Sequence, residues 1–293
     1  MVFASQQSYE KTRQMKSVRK LIALTIWALV AMALGTPAQA AESRPQKNLV
    51  FILAENEYRA WRTIPEFGQM LEDKYGFQCE YLTSSTDDKD PNRFFIPRME
   101  QVKKADLVVV FARRRALPKE QMQILRDYLD SGKPLIGIRT ASHAFDANLV
   151  VPKEGGAPAA NVRLPEGLEQ WKTFDKDVFG CNYHGHYEPG IITVVTVNPE
   201  KKGHPILTGV PESFDSPSWL YEIAPLAPTA EALMMGKIPG KDAEAVVLTN
   251  TYKRGGRIVY TSLGHWDDFR APAFQRILIN SVFWTMKLDV PKG

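Results

Sequence analysis

A strand–helix–strand pattern occupies residues 106–139, DLVVVFARRRALPKEQMQILRDYLDSGKPLIGIR. Residues 106–111 are apolar after the first position, which is typical of a strand buried on both faces of a sheet. A helix is predicted over residues 118–129, and Gly132 can end it. Residues 135–139 predict the next strand. Because the two strands are joined through a helix, we expect them to lie parallel, with a right-handed crossover.

The same alternation continues on both sides of this unit. Strands are predicted at residues 48–54, 77–83, 191–197, 232–235, 245–249 and 257–262, and helices at 64–75 and 272–286. Residues 144–190 are instead rich in Gly, Pro and polar side chains, which predicts a loop-rich central insertion. We therefore expect one α/β domain over residues 47–290, built on a largely parallel sheet that helices cover on both faces.

The net charge of the chain is concentrated near its N-terminus. The 293 residues carry 37 Lys and Arg against 33 Asp and Glu, a formal charge of +4. Five of the basic residues and one acidic residue fall within residues 1–40, so 32 of each sign remain in the rest of the chain. A balanced chain offers no basic face to a phosphate backbone, and we expect no nucleic-acid partner.

Residues 1–40 have the pattern of a secretory signal peptide. Basic residues precede the apolar run 21–34, LIALTIWALVAMAL, and Ala38-Gln39-Ala40 is a small-x-small cleavage site. The run of fourteen residues is short for a membrane-spanning helix, and a tilted anchor that is never cleaved is the alternative. We predict a periplasmic or secreted protein whose mature chain is not embedded in a membrane.

Cys79 and Cys181 are the two cysteines of the chain, and neither has the CxxC spacing of a redox motif or a cysteine zinc site. In an oxidising compartment they could form a disulfide bond. As separate thiols they would instead pack as small apolar side chains. The sequence leaves both alternatives open.

Chemically active side chains cluster where the predicted strands end. Glu55 and Asn56 follow the first strand, and Arg139 and His143 follow the strand at residues 135–139. The other candidates are His265, Trp266 and Asp267 after the strand at 257–262, and Tyr183, His184 and His186 in the central insertion. Ligands of parallel α/β sheets bind outside the carboxyl ends of the strands, so we expect these side chains to form the functional site. His204 precedes a proline and is predicted to belong to a turn.

Three segments resemble a known family: GKPLIGIRTASHAF (132–145), KGHPILTGV (202–210) and GGRIVYTSLGHWDDFRAPAFQRILINSVFW (255–284). They are similar to the trehalose-utilisation (ThuA-like) family, part of the class I glutamine amidotransferase-like superfamily. The resemblance spans roughly residues 48–287. It implies a flavodoxin-like three-layer sandwich with a mostly parallel sheet, and a substrate related to trehalose or to an oxidised sugar.

One position departs from the superfamily pattern. The amidotransferases present a nucleophilic cysteine after the matching strand, in a G-I-C-x-G-H pattern, whereas this chain has Gly137-Ile138-Arg139. A guanidinium stays protonated and cannot act as a nucleophile, so glutaminase chemistry is not expected. ThuA-like proteins commonly carry His there, and the fork of donors on Arg139 suits an anionic or polyhydroxylated ligand. His265 lies where the amidotransferases keep their catalytic histidine.

The histidines support three hypotheses. His265 or His143 could act as a general acid or base, with Glu55 as a secondary carboxylate. His184 and His186 would share one face of an extended segment and could hold zinc or another divalent metal together with a third ligand. Alternatively, the histidines only form hydrogen bonds, as in a non-catalytic sugar-binding or partner-docking module.

We therefore predict a carbohydrate-active protein with histidine acid–base chemistry, in the class of the hydrolases, lyases or isomerases. The predicted substrate-binding residues are Arg139, Asn56, Tyr183, His184, His186, Trp266 and Asp267. The expected partner is a small carbohydrate; a metal-assisted hydrolase is an alternative, and a homo-oligomer is left open. The basic run Arg113-Arg114-Arg115 is interpreted as a solvated loop, since three arginines are too few for a nucleic-acid face.

Overall fold

The computed structural model describes residues 46–87, 90–147 and 164–292. The described residues all belong to one compact unit, Gln46–Gly293. The predicted signal peptide, residues 1–40, lies outside them. Within the described ranges, no helix combines the length and the apolar character needed to cross a bilayer.

The described residues form thirteen strands and three α-helices. The strands are β1 (Asn48–Ala54), β2 (Gln78–Thr83), β3 (Leu107–Ala112), β4 (Leu117–Pro118), β5 (Leu135–Ile138), β6 (Leu168–Glu169), β7 (Gly185–His186), β8 (Thr193–Val197), β9 (Ser213–Ser216), β10 (Tyr221–Glu222), β11 (Glu231–Lys237), β12 (Glu244–Tyr252) and β13 (Gly256–Thr261). The helices are α1 (Ala60–Tyr75), α2 (Lys119–Asp130) and α3 (Pro272–Thr285). Strands and helices alternate along much of the chain, as the sequence predicts.

One sheet organises the domain, with the strand order β2-β1-β3-β5-β13-β12-β11-β8-β9. The first five of these are successive parallel neighbours. The remaining four join antiparallel, so that seven of the nine strands share one direction. The parallel half has the flavodoxin-like order, in which the chain changes direction across the sheet between β1 and β3. The predicted mostly parallel α/β fold is confirmed.

The sheet separates two hydrophobic cores, which makes the domain a three-layer sandwich. On one face, Ile64 and Leu71 of α1 pack with Ile277 of α3. On the other face, Met122 and Leu125 of α2 are buried. The inner strands β1 and β3 are almost entirely buried, which explains why their sequences are unbroken apolar runs.

The central insertion contains little regular structure. Its described part forms β6, β7 and one short turn of π-helix at Asp175–Phe179. Residues 148–163 of the insertion lie outside the described residues. β7 pairs with β10, and this small ribbon carries Tyr183, His186 and Tyr221 close to the carboxyl edge of the main sheet.

Two predicted element boundaries differ from the structure for local reasons. The helix predicted to begin at residue 64 begins at Ala60, because the carboxylate of Glu55 accepts hydrogen bonds from the backbone N–H groups of Tyr58 and Ala60. The strand predicted to include Arg139 ends at Ile138. At Arg139 the backbone turns into the left-handed region, with φ of 46°, and the strand cannot continue.

The central strand β5 requires glycine at position 137. A Cβ atom there would overlap the ring of Phe179, which packs across the strand and stacks on Tyr260. The absence of a side chain therefore lets the insertion pack directly against the middle of the sheet.

We predict that Gly137→Ala destabilises the domain by about 1–3 kcal/mol, because the added methyl forces Phe179 out of a close-packed position. Urea unfolding measures the effect. Gly203→Ala is the matched control, since a Cβ at position 203 meets no atom within 4 Å. Equal effects of the two substitutions would contradict the close approach of Phe179.

Candidate functional site

The carboxyl ends of four parallel strands bring the candidate side chains together. Tyr58 follows β1, Arg114 follows β3, Arg139 and His143 follow β5, and His265 follows β13. Arg139, Thr140, Ala141, Ser142 and His143 form a short 3₁₀ turn that is wholly buried. The sheet topology thus places residues from distant parts of the sequence at one edge, as expected for this architecture.

Arg139 lies at the centre of this edge and is fully buried, with 0% of its surface exposed. Its guanidinium carbon is 4.4 Å from the ring centres of both Tyr58 and Tyr221, so the cation is held between two aromatic faces. One terminal nitrogen donates to the backbone carbonyls of Ser262 and Trp219. The other donates to the Tyr58 hydroxyl at 3.3 Å.

The charge of Arg139 is only partly compensated. Within the described ranges, no carboxylate lies within 4 Å of its guanidinium, and its Nε atom has no hydrogen-bond partner. Asp268 is the acidic residue with which it interacts over a longer distance. A buried cation without an ion-pair partner is costly, so the aromatic faces and carbonyl oxygens are essential to its stability.

His143 is buried beside Arg139, with 6% of its surface exposed. Its ring stacks on Tyr183 at 4.3 Å, and its Nδ1 atom is 3.1 Å from the hydroxyl of Ser142. Burial holds the pKa of His143 well below its usual value, and the positive charges of Arg114, Arg113 and Arg139 lower it further. The imidazole is therefore neutral at pH 7.

His265 is more open, with 12% of its side chain exposed. The ring packs on Trp266 at 3.7 Å between centres and meets Tyr58 edge-on at 6.3 Å. Its Nδ1 atom accepts a hydrogen bond from the backbone N–H of Asp267 at 3.3 Å. Burial lowers the pKa of His265 and Arg139 lowers it further, whereas Asp268 and Asp267 raise it.

A buried carboxylate fixes the backbone beneath His265. Asp268 accepts hydrogen bonds from the hydroxyls of Ser216 and Ser218 and from the backbone N–H groups of Gly264 and His265. The four donors lie 2.6–3.0 Å from the carboxylate oxygens, so the carboxylate is fully hydrogen-bonded and stabilises the turn. Asp268 therefore positions His265 rather than taking part in proton transfer.

His184 and His186 lie at the outer rim of the site and are exposed. The Nδ1 atom of each contacts a backbone carbonyl, that of Asn182 and of Tyr187 respectively, at 2.8 Å. The His186 ring lies 5.2 Å from Trp219. In the part of the chain that the structure describes, no three His, Cys, Asp or Glu side chains converge to hold a metal ion. The third ligand that the metal hypothesis needs is therefore not provided by these residues.

The two predicted site residues after β1 have different surroundings. Glu55 is buried and both its carboxylate oxygens accept backbone N–H groups at 2.7 Å, which caps α1. Its pKa is raised by burial, although those hydrogen bonds oppose the shift. Asn56 is exposed, and its amide donates to the carbonyl of Thr86 at 3.4 Å. The structure thus gives Glu55 a clear structural role, while its predicted catalytic role stays a prediction.

Trp266 and Asp267 lie on the outer side of His265. The guanidinium of Arg59 is 4.7 Å from the Trp266 ring, so the indole lies between Arg59 and His265. The Asp267 carboxylate is 3.5 Å from His265 Nδ1 and 3.2 Å from Arg270. Both side chains are half-buried and border the opening above His265.

Some predictions need correction. Arg115 is buried and donates through Nε to the carbonyl of Ala54, so the run Arg113-Arg114-Arg115 is not a wholly solvated loop. Arg113 and Arg114 form ion pairs with Glu57 and Asp146 at the surface, whereas Arg115 points inward.

The structure also shows the surroundings of the two cysteines and of the fifth histidine, His204. Cys79 and Cys181 are free thiols that pack against the cores on opposite faces of the sheet. His204 accepts the N–H of Ile206 and caps a short 3₁₀ helix, which confirms the predicted turn.

The sequence analysis missed Tyr58 and the pair Ser216 and Ser218. Tyr58 follows β1 by four residues, so the rule that selected Glu55 and Asn56 could have extended to it. The serines lie in and just after the edge strand β9, which has no apolar pattern to predict it. Their role depends on a contact with Asp268 about fifty residues away, which no local signal reveals.

The sequence matches a family model described as trehalose utilisation (ThuA) over residues 49–285. No curated protein matches the sequence at a significant level. A crystal structure of a ThuA-like protein from Parabacteroides merdae ATCC 43184 is similar, with a TM-score of 0.61 and 17% identity, and the match covers 85% of this chain and 93% of that chain.

Two further solved structures are similar at lower identity. The mmIFT52 N-terminal domain has a TM-score of 0.50 and 12% identity, covering 82% of this chain and 97% of that chain. The glutaminase domain of Trypanosoma brucei CTPS with bound acivicin has a TM-score of 0.43 and 10% identity, covering 85% and 97%. At 12% identity, the similarity to the mmIFT52 N-terminal domain shows a shared fold alone.

Protonation of buried His143 should make the domain less stable in acid. The folded pKa lies below the ordinary 6.5, so the unfolded chain binds a proton that the folded chain does not. The resulting stability is complete above about pH 6.5 and decreases as the pH falls toward the folded pKa, by up to about 1.4 kcal/mol per pH unit.

Urea unfolding between about pH 7 and 5 tests this expectation. We predict a shallower loss of stability for His143→Gln than for the wild type. His184→Gln, which removes an exposed imidazole, is the control and should keep the wild-type slope. Parallel curves for the wild type and His143→Gln would contradict the buried neutral state of this ring.

Proposed function

Because the chain belongs to the trehalose-utilisation (ThuA) family, we propose that it acts on a carbohydrate at the carboxyl edge of its sheet, by proton transfer between histidine side chains and the sugar. The substrate would be a trehalose-like disaccharide or an oxidised sugar. The reaction would be a hydrolysis, an elimination or an isomerisation, since each of these moves a proton at a sugar carbon or oxygen.

The observation that carries this proposal is the complementary hydrogen bonding of the two histidines. A backbone N–H can only donate, so the neutral His265 ring accepts at Nδ1 and carries its proton on Nε2. Ser142 can donate to the Arg139 carbonyl at 3.4 Å, and its oxygen can then accept from Nδ1–H of His143 at 3.1 Å. In this tautomer His143 has a lone pair on Nε2.

These two states suit two different roles. His143 Nε2 can take a proton from the sugar, because its lone pair is free and the ring is neutral at pH 7. His265 Nε2–H can donate a hydrogen bond to the sugar oxygen on which negative charge develops, as a neutral imidazole does when it acts as an electrophile. When His265 is protonated, its Nδ1–H can turn to the Asp267 carboxylate 3.5 Å away.

Arg139 supports these roles from beneath the site. Since the guanidinium is fully buried between Tyr58 and Tyr221, it does not reach a ligand directly in this conformation. It acts instead as a fixed positive charge that adds to burial, which is the main cause of the lowered pKa of both His143 and His265. We therefore assign Arg139 an electrostatic role in place of the ligand contact that its donor groups suggested.

Aromatic side chains around the opening support a sugar ligand. Trp266, Trp219, Tyr183 and His186 are all at least partly exposed at this edge. Sugars present apolar C–H faces as well as hydroxyls, and a ring with an open face can bury such a surface. Asn56 and Asp267 add exposed polar groups at the rim, where they can bond sugar hydroxyls.

We also propose that the protein works outside the cytoplasm. The basic residues, the apolar run 21–34 and the Ala38-Gln39-Ala40 site support export with cleavage after residue 40. The N-terminal residue of the exported protein tests this proposal, since cleavage there leaves Ala41 first.

Substitution of the histidines tests the proposed chemistry. We predict that His143→Ala and His265→Ala each lower kcat about 10²–10⁴-fold on the substrate found in a panel of trehalose, its oxidised derivatives and related glycosides. The control is His204→Asn, which lies at a remote turn and keeps a capping acceptor.

Unchanged turnover in both alanine variants would overturn the assignment. Sugar-dependent thermal stabilisation without any product would instead favour the non-catalytic sugar-binding module.

A further inference from the structure

We propose that the carbohydrate bound at this site carries a negative charge, and that its charged group lies beside His143 rather than beside His265. This inference rests on the proposed function and names the substrate class of the same site. The charged group is a carboxylate or a phosphate on the sugar.

The first observation is the uncompensated guanidinium of Arg139. It is completely buried and forms no ion pair with any residue that the structure describes. Its Nε atom is buried without a hydrogen-bond partner. The energetic cost of such a cation decreases when an anion binds nearby, because Coulomb attraction is strong where water is excluded. An anionic ligand is therefore favoured over its neutral analogue.

The second observation is that three arginines lie within electrostatic range of His143. Besides burial, the positive charges of Arg114, Arg113 and Arg139 lower the pKa of its ring. The carboxylates of Glu57 and Asp146 face outward, where they pair with Arg113 and Arg114 at 2.8 and 3.1 Å. The backbone N–H of Arg114 donates to the His143 carbonyl, which keeps the two segments together.

The third observation is the different charge balance of the His265 side. Asp267 lies 3.5 Å from the His265 ring, and Asp268 accepts the His265 backbone N–H at 3.0 Å. Arg270 pairs with Asp267 at 3.2 Å and Arg59 lies over Trp266, so two arginines balance two carboxylates at this end.

At the His143 end, the two carboxylates of Glu57 and Asp146 pair with Arg113 and Arg114, and the charge of Arg139 has no carboxylate within 4 Å among the described residues. The two ends of the site therefore differ in charge, and this difference orients a ligand that has one charged and one neutral end.

We place the approach of the charged group on the insertion side of His143, where the described side chains are partly or fully exposed. Tyr183 stacks on the His143 ring and is only partly buried, and the neighbouring His186 is exposed. A charged group that enters beside Tyr183 meets the positive charges of Arg114 and Arg139. The sugar ring then extends toward Trp219 and the neutral face of His265.

The experiment compares sugars that share one skeleton and differ in charge. The ligands are glucose, glucuronate and glucose 6-phosphate, with inorganic phosphate alone as a control for the charged group. Binding to the exported protein is measured by calorimetry at low and high salt. We expect glucuronate or glucose 6-phosphate to bind at least about tenfold more tightly than glucose, since a charge-assisted contact is stronger than a neutral one. The better of the two identifies carboxylate or phosphate.

Matched arginine variants locate the charge. Arg114→Gln removes a cation near His143, and Arg126→Gln removes a similarly exposed arginine of α2 that pairs with Glu169 and packs on Trp171. The preference for the anionic sugar should shrink at least about threefold in Arg114→Gln and with added salt, and should persist in Arg126→Gln.

Histidine titration by NMR supplies a readout that does not depend on turnover. A bound anion beside His143 should raise the pKa of that ring, while the pKa of His265 changes less.

Equal affinity for glucose and glucuronate, or equal effects of the two arginine variants, would overturn the inference. Turnover of neutral sugars with no preference for charge would leave the proposed function intact, whereas binding of no sugar of either kind would remove both. Binding of inorganic phosphate as tightly as glucose 6-phosphate would overturn the claim that the ligand is a sugar.

Discussion

The burial of one guanidinium governs how the carboxyl edge of this sheet is built. Taking the charge of Arg139 out of water carries a large cost, which the faces of Tyr58 and Tyr221 and the carbonyls of Ser262 and Trp219 offset. These partners come from the segments after β1, β9 and β13. Assembly of the site is therefore coupled to the docking of the segment after β9 onto the parallel half of the sheet.

The same charge contributes to the chemistry available at the surface above it. Burial lowers the pKa of both His143 and His265, and the charge of Arg139 lowers each further, so that both rings are neutral at pH 7. At His265, the carboxylates of Asp268 and Asp267 oppose this effect, because they raise the pKa of the ring. Burial, one buried cation and different carboxylates beside each ring thus give the two histidines different surroundings, on which their proposed roles rest.

The sequence predicts the parallel core well because continuous apolar runs such as β1 and β3 have one stable solution, burial on both faces of a sheet. The short polar strands β7, β9 and β10 were not predicted, since their pairing depends on tertiary contacts. The strand-end rule found most of the site residues. It missed the burial of Arg139, because charged side chains are usually exposed and its partners are about 80 to 120 residues away.

The central claim, that the buried charge of Arg139 adds to burial in lowering the pKa of both histidines, can be tested directly by NMR titration of His143 and His265 in Arg139→Gln. Arg139→Lys, which keeps the charge, is the reference variant, and near-UV circular dichroism reports that both remain folded. The account predicts that both imidazoles titrate at higher pH in Arg139→Gln than in the wild type, while Arg139→Lys stays close to the wild type. Wild-type titration of both rings in folded Arg139→Gln would contradict it.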